Sequence, residues 1–204
     1  KTKRGSLTSP QINFSYEFNM ATPKRLPDFV DGYTYASALN EAMKNDGLMP
    51  RYSVAELDAF KNQTNPLFYP NVDWVDETLR GASYGDNITF SARGGGKFVS
   101  YYTMLNFLDN RGILQPTGDN DGYSTQLKYS KLNVRPNLDI AASPTTTVQL
   151  NLLGNFSEHN RPGTGVSDIF TALYQVPAAA FPIKTERGIW GGTTTYGNNP
   201  VANI

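Results

Sequence analysis

Gln11-Ile12-Asn13-Phe14-Ser15-Tyr16-Glu17-Phe18-Asn19-Met20 decides the fold class. Every second residue is apolar and mostly aromatic, and every residue between is polar, which is the period-two signature of a β-strand with one greasy and one wet face. The pattern returns further along. Ile88, Phe90 and Ala92 alternate with Asn87, Thr89, Ser91 and Arg93, and Val99, Tyr101, Thr103, Leu105 and Phe107 continue it after Gly94-Gly95-Gly96. A strand running from Tyr123 to Ile140 carries Leu132, Val134, Leu138 and Ile140 in alternation. After a short turn at Ser143-Pro144, Val148, Leu150, Leu152 and Phe156 alternate with Gln149, Asn151, Asn155 and Ser157. The three glycines are expected to supply positive φ in a hairpin turn.

Between the first two strands the alternation stops. Tyr35, Leu39 and Met43 lie at helical spacing within residues 33–44, with Gly47 as a stop, and Ser53-Val54-Ala55-Glu56 is a capping box opening a second helix to about Gln63. Asp73 to Arg80 suits another short helix. Prolines 23, 27, 50, 66 and 70 punctuate the segment, which reads as an ordered insertion. Residues 109–122, rich in Asp, Asn and Gly, form a longer connection. Residues 158–204 contain a helix over 167–175, an apolar stretch to Ile183 and a Gly/Thr/Asn-rich tail.

The connections therefore alternate long, short, long, short, long. In an up-and-down antiparallel sheet this puts every elaborated loop at one end and every tight turn at the other, an asymmetry of outer-membrane barrels. Strands of about ten residues suit a tilted crossing of about 9–11. The expected fold is all-β with helical loop insertions, forming part of a large antiparallel transmembrane β-barrel. Five strands cannot close a barrel without leaving edges unpaired in hydrocarbon, so the chain reads as a piece of one. Tyr16, Tyr101 and Tyr129 suit interfacial girdles. Asn13, Ser15, Glu17, Asn133, Arg135, Gln149 and Asn151 would face a watery lumen. The alternative is a secreted β-rich carbohydrate-binding or adhesin domain whose apolar faces pack on each other.

Composition narrows the function classes. Among 204 residues, 18 Lys plus Arg balance 18 Asp plus Glu, and the only basic cluster is Lys1, Lys3 and Arg4, which argues against nucleic acid as a partner. With no Cys there is no thiolate metal site or cysteine nucleophile. No apolar run reaches the length of a spanning helix. Gly94-Gly95-Gly96-Lys97 fails the phosphate-loop pattern, because position 91 is Ser and position 98 is Phe. Asp119-Asn120-Asp121-Gly122 lacks the closing Glu of a calcium loop and reads as a solvated turn. His159 stands without a second ligand of its kind, and Asp73, Asp76 and Glu77 lack an opposing carboxylate for sugar chemistry. No catalytic residue, metal site or cofactor is expected. Trp190, set among glycines, together with Trp74 and Tyr69, are the candidate ligand or partner contacts, since flat rings stack on sugars at low ordering cost.

Several motifs, in order, resemble the SusC/RagA-type TonB-dependent transporters of the Bacteroidetes outer membrane. Thr2-Lys3-Arg4-Gly5 is similar to the end of that family's plug domain, and Tyr69-Pro70-Asn71-Val72-Asp73-Trp74 to its Tyr-Pro-Asn-x-Asp-Trp motif. Ser91 to Gly96 with Phe98-Val99-Ser100 resembles its second strand, turn and third strand. Gly112-Ile113-Leu114, Asn137-Leu138-Asp139-Ile140 and Asn199-Pro200 also sit where the family has such residues. The resemblance implies the end of the plug and a linker at 1–9, a first barrel strand at 10–20 and a long extracellular loop at 21–85. Strands two to five would follow at 86–157, and another extracellular loop at 158–204. It further implies import of oligosaccharide or peptide across the outer membrane, with a SusD-like surface lipoprotein and the TonB energy-coupling complex as partners.

Overall fold

The computed structural model describes residues 3–115 and 124–204. The chain divides into two compact units, a sheet and a helical loop unit. Lys1, Thr2 and the Asp119–Gly122 turn lie outside the described residues.

The sheet unit is an antiparallel meander of β1 (Gln11–Ala21), β2 (Ser83–Gly95), β3 (Val99–Arg111), β4 (Lys128–Ser143), β5 (Thr146–Asn151) and β6 (Gly154–Asn160). Asp109 to Arg111, expected in a connection, extend β3, and the fourth strand starts at Lys128 rather than near Tyr123, which itself is not described. β5 and β6 both pair with β4. They are one row in one register, since Asn151 faces Asn137 and Gly154 faces Val134, three residues further along both strands. The break has a chemical cause. Leu152 N–H donates to Pro136 O at 3.0 Å, but proline has no N–H to return the bond, so the ladder lapses there.

Register segregates the faces. Phe14 is opposite Phe90, Phe90 opposite Leu105, and Leu105 opposite Val134; Tyr16 leads likewise through Ile88, Phe107 and Leu132 to Phe156. These rows form one continuous apolar face, and it is uncovered: Phe14 is 68% and Phe156 66% exposed. From Val99 to Phe107 the apolar positions cover roughly 27 Å of strand at about 3.4 Å per residue, comparable to the apolar band of about 25 Å on outer-membrane barrels. Tyr16 and Tyr101 belong to this face. Tyr129 does not. It alternates with Ser130 and Leu132, so it stands on the polar face, where its ring lies 4.4 Å from that of His159.

The three glycines also differ from expectation. Among the described glycines positive φ occurs at Gly47, Gly188 and Gly197, not at Gly94, Gly95 or Gly96. Gly94 and Gly95 are ordinary strand residues of β2, and the turn is closed by Gly96 N–H donating to Val99 O at 2.8 Å. What they provide is room. A Cβ on Gly95 would come within 2.6 Å of Ser100 Cβ and 2.8 Å of Ser6 O.

The loop unit comprises residues 23–81, 161–204 and the described part of 113–126. It holds α1 (Gly32–Asn45), α2 (Val54–Asn62), α3 (Trp74–Thr78), α4 (Val166–Gln175) and a small ribbon of β7 (Gly192–Thr193) and β8 (Gly197–Asn198). Asp31 caps α1, Ser53 and Glu56 form the expected capping box on α2, and Asp73 caps α3. Asn40 clamps the first two helices by bonding both the N–H and the carbonyl of Tyr52. Phe60, Ala36 and Ala179 form a core with Tyr33, Tyr35, Tyr52, Leu57 and Tyr69 around it. Three separate connections thus share one interior, in which Leu114, Ile169, Leu173 and Thr78 are fully buried. No helix among the described residues is long and apolar enough to cross a membrane.

Candidate functional site

The polar face of the sheet carries a chain of side-chain hydrogen bonds running across four strands. Asn87 Nδ2 donates to Glu17 Oε2 at 3.0 Å, Asn106 Nδ2 to Asn87 Oδ1 at 2.6 Å, and Asn133 Nδ2 to Asn106 Oδ1 at 3.0 Å. Asn106 also reaches Thr89 Oγ1 at 2.9 Å. Such a rail forms because an amide is both donor and acceptor, so carboxamides in adjacent strands satisfy one another in sequence. Arg93 Nε donates to Gln11 Oε1 at 2.7 Å nearer the short-turn end. Asn13, Ser15, Glu17, Asn133, Arg135, Gln149 and Asn151 all share this face, opposite the aromatic rows. A surface of this kind offers alternating donors and acceptors to a hydroxyl- or amide-rich ligand.

In the loop unit the three aromatic candidates separate. Trp74 is only 2% exposed: its Nε1 donates to Pro177 O at 3.2 Å and its ring meets Phe181 edge-on at 5.4 Å. It anchors the loop, and its burial leaves it little surface to offer a ligand. Tyr69 packs edge-on against Phe60 at 5.3 Å and is half-buried, so it too serves the core first. Trp190 is 40% exposed and carries Lys184 Nζ 4.2 Å from its ring centroid, across the bridge that pairs the two residues. The cation lies over the ring, and part of the ring surface remains in solvent.

Sequence reasoning missed a further concavity in this unit. Phe29, Val30, Val176 and Ala178 are shared by two hollows of about 180 and 240 Å³. The first is also lined by Asp31, Asn71, Asp73 and Trp74, and the second by Tyr35, Tyr174, Pro177 and Tyr196. Tyr35 and Tyr196 join hydroxyl to hydroxyl at 2.8 Å, and burial, then that bond, pushes the Tyr35 phenol well above its ordinary value. Thr34, through its hydroxyl and backbone N–H, holds the Asp31 carboxyl below the ordinary value. The polar groups here are committed to caps and to one another. What remains is an aromatic cleft suited to apolar or ring-bearing guests. Its residues lie too far apart in sequence for any local pattern to join them.

Asp73 and His159 are engaged in local contacts. Asp73 accepts from the N–H groups of Val75 and Asp76 at 3.0 and 3.1 Å. His159 lies against Tyr129. Among the described residues no group of three or more His, Asp or Glu could hold a metal ion.

No family model matches the chain. It is 25% identical over 209 residues to TonB-dependent receptor P26 of Formosa agariphila, a match that covers 100% of this chain and 18% of the relative. Among solved structures it is similar to a chain of the RagAB peptide transporter, with a TM-score of 0.63 at 13% identity. It is similar also to a chain of the RagAB peptide importer in the closed-closed state, with a TM-score of 0.60 at 14% identity. Both matches cover 98% of this chain and 25% of the other. The chain thus spans about a quarter or less of the proteins it matches. The resemblance to SusC/RagA-type TonB-dependent transporters seen in the motifs holds along the chain, and the antiparallel sheet with helical loop insertions has the fold of a segment of such a barrel.

Proposed function

We propose that this chain forms part of the wall and the extracellular loops of an outer-membrane TonB-dependent importer for oligosaccharides or peptides. The observation that carries the reading is the segregation of the middle of the sheet into two unlike faces. One face is a continuous exposed field of Phe, Leu, Ile, Val and Tyr, and the other is crosslinked by Glu17, Asn87, Asn106 and Asn133. In water an uncovered apolar field of this size is a liability. Against lipid it is the required boundary, and the polar side then lines the passage.

In this reading residues 1–9 end the plug and lead to the wall, and residues 10–20 and 86–157 supply strands. Residues 21–85 and 158–204 lie outside the cell. Trp190 and the cleft around Phe29 and Tyr174 meet ligand or a SusD-like surface lipoprotein, and Asn13, Ser15, Arg135, Gln149 and Asn151 line the lumen with the amide rail. Similarity to a TonB-dependent receptor and to the RagAB peptide importer supports the importer class and the lipoprotein partner. The TonB complex would act through parts of the protein outside this chain. A binding and conducting role needs no covalent step.

The test uses the intact parent protein. It should partition into detergent extracts of the outer membrane; extraction into plain buffer would rule the reading out. Single cysteines replacing Phe14 or Phe18 should report a lipid environment, and those replacing Asn13 or Ser15 should react with a water-soluble, membrane-impermeant thiol reagent. The reverse pattern would invert the assignment of faces.

A further inference from the structure

Residues 3–8 cross the polar face of the sheet at its short-turn end, and they are held to it at several points. Asn137 Nδ2 donates to Lys3 O at 2.8 Å, and Arg4 Nη1 pairs with Asp139 Oδ1 at 2.7 Å, both on β4. Gly5 then lies directly on the backbone of Ser100 and Tyr101 in β3, so closely that a Cβ there would collide with the Tyr101 nitrogen. Ser6 O sits over Gly95 of β2, and Gly95 N–H donates to Thr8 O at 3.2 Å. Contacts to three strands follow in order along six residues, and the small residues on both sides permit them: Gly5 above, Gly95 and Ser100 below.

We propose that residues 3–8 are a latch that clamps the chain preceding β1 to the inner side of the wall and stops displacement of that chain from reaching β1. The claim that the preceding chain is displaced rests on the importer reading; the latch itself stands on the contacts. Its two ends differ in kind. The Arg4–Asp139 pair is partly exposed, with water able to replace each partner, so it is the end that yields first under a pull from upstream. The other end is held by the backbone bond from Gly95 N–H to Thr8 O, with Gly5 packed on the β3 backbone, so it holds until the strap lifts as a whole. Asp139, Asn137 and Gly5 are positioning residues of this device.

Hydrogen exchange in the full-length parent protein, in detergent or bilayer, tests it. Asp139→Asn should raise exchange over residues 3–5 several-fold while leaving the peptide containing Thr8 and the strands β2–β4 unchanged. Gly5→Ala should raise exchange across all of residues 3–8 at least tenfold, again without loosening the strands. Arg4→Gln should reproduce the Asp139→Asn effect and add nothing to it in the double variant, and it serves where Gly5→Ala fails to fold. Unchanged exchange over residues 3–8 in Asp139→Asn and Arg4→Gln, or loosening spread evenly through β2–β4, would overturn the latch. Extraction without detergent would sink the importer reading and leave these exchange outcomes to judge the strap alone.

Discussion

Asn106 and Asn87 share the shortest link of the amide rail, 2.6 Å from Nδ2 to Oδ1, although they are not directly paired: Asn87 faces Leu108, and Asn106 faces Thr89. The diagonal reach lets one side chain join β2, β3 and β4, since Asn106 also accepts from Asn133. Asn106→Ala removes the middle of the rail and leaves acceptor and donor unpaired on both sides. The expected cost is about 1–3 kcal/mol in unfolding of the parent protein, with Asn87→Ala plus Asn106→Ala costing less than the separate changes added together. Full additivity would show that the bonds are independent.

The two faces respond differently to charge. Phe90→Arg places a cation in the middle of the apolar rows and should destabilise the protein in a bilayer by about 2–4 kcal/mol. Ser91→Arg, one residue on and on the rail side, should change stability by no more than about 0.5 kcal/mol. Urea titrations of refolding into vesicles compare them, and equal costs would contradict the assignment of faces.

Pro136 leaves one bond of the ladder unmade. Pro136→Ala supplies the missing N–H opposite Leu152 O, and that new amide should exchange as slowly as its neighbours in β4. The gain, about 1 kcal/mol for a bond, is offset by the extra freedom the unfolded chain acquires, about 0.4–1 kcal/mol. Overall stability should therefore move little while β5 and β6 become continuous. A rapidly exchanging amide at this position would mean that the break has another origin.

Asp31 caps α1 in its charged form, with its carboxyl held below the ordinary value of 3.8. A depressed carboxyl contributes stability that is complete above the unfolded value and is lost as pH falls through the folded one. Asp31→Ala should cost α1 about 0.5–2 kcal/mol at neutral pH. The difference between variant and wild type in helix amide exchange should shrink once pH drops below 3.8. Glu56, lowered by hydrogen bonds from the Ser53 backbone and hydroxyl, should follow the same direction on α2. A gap that persists in acid would show that the cap does not depend on charge.

Local pattern carried most of the secondary structure. Alternation from Gln11 to Met20 placed β1, and Ser53 with Glu56 and Asp73 marked two helix starts, because each signal acts within a few residues. The errors arose where the cause was distant or the pattern was broken. Gly94 and Gly95 read as turn residues, but they make room for Tyr101 and Ser100 and for Pro10 and Ser6 far upstream in the chain. The burial of Trp74 has no local signal, because its partners, Pro177 and Phe181, come from another connection. Tyr129 was misplaced by its aromatic identity, although its parity with Leu132 already put it on the wet side. The Phe29 cleft had no local signal at all, since Tyr35 meets Tyr196 only after folding.

Because the connections after β1, β3 and β6 are interlocked through Trp74, Leu114 and Pro177, none of them has an interior wholly its own among the described residues. Exchanging a single connection with that of a related protein would strand the buried faces of the other two. Changes in one connection at these shared contacts therefore call for matched changes in the others, and an engineer who wishes to alter specificity does best to transplant them as a set.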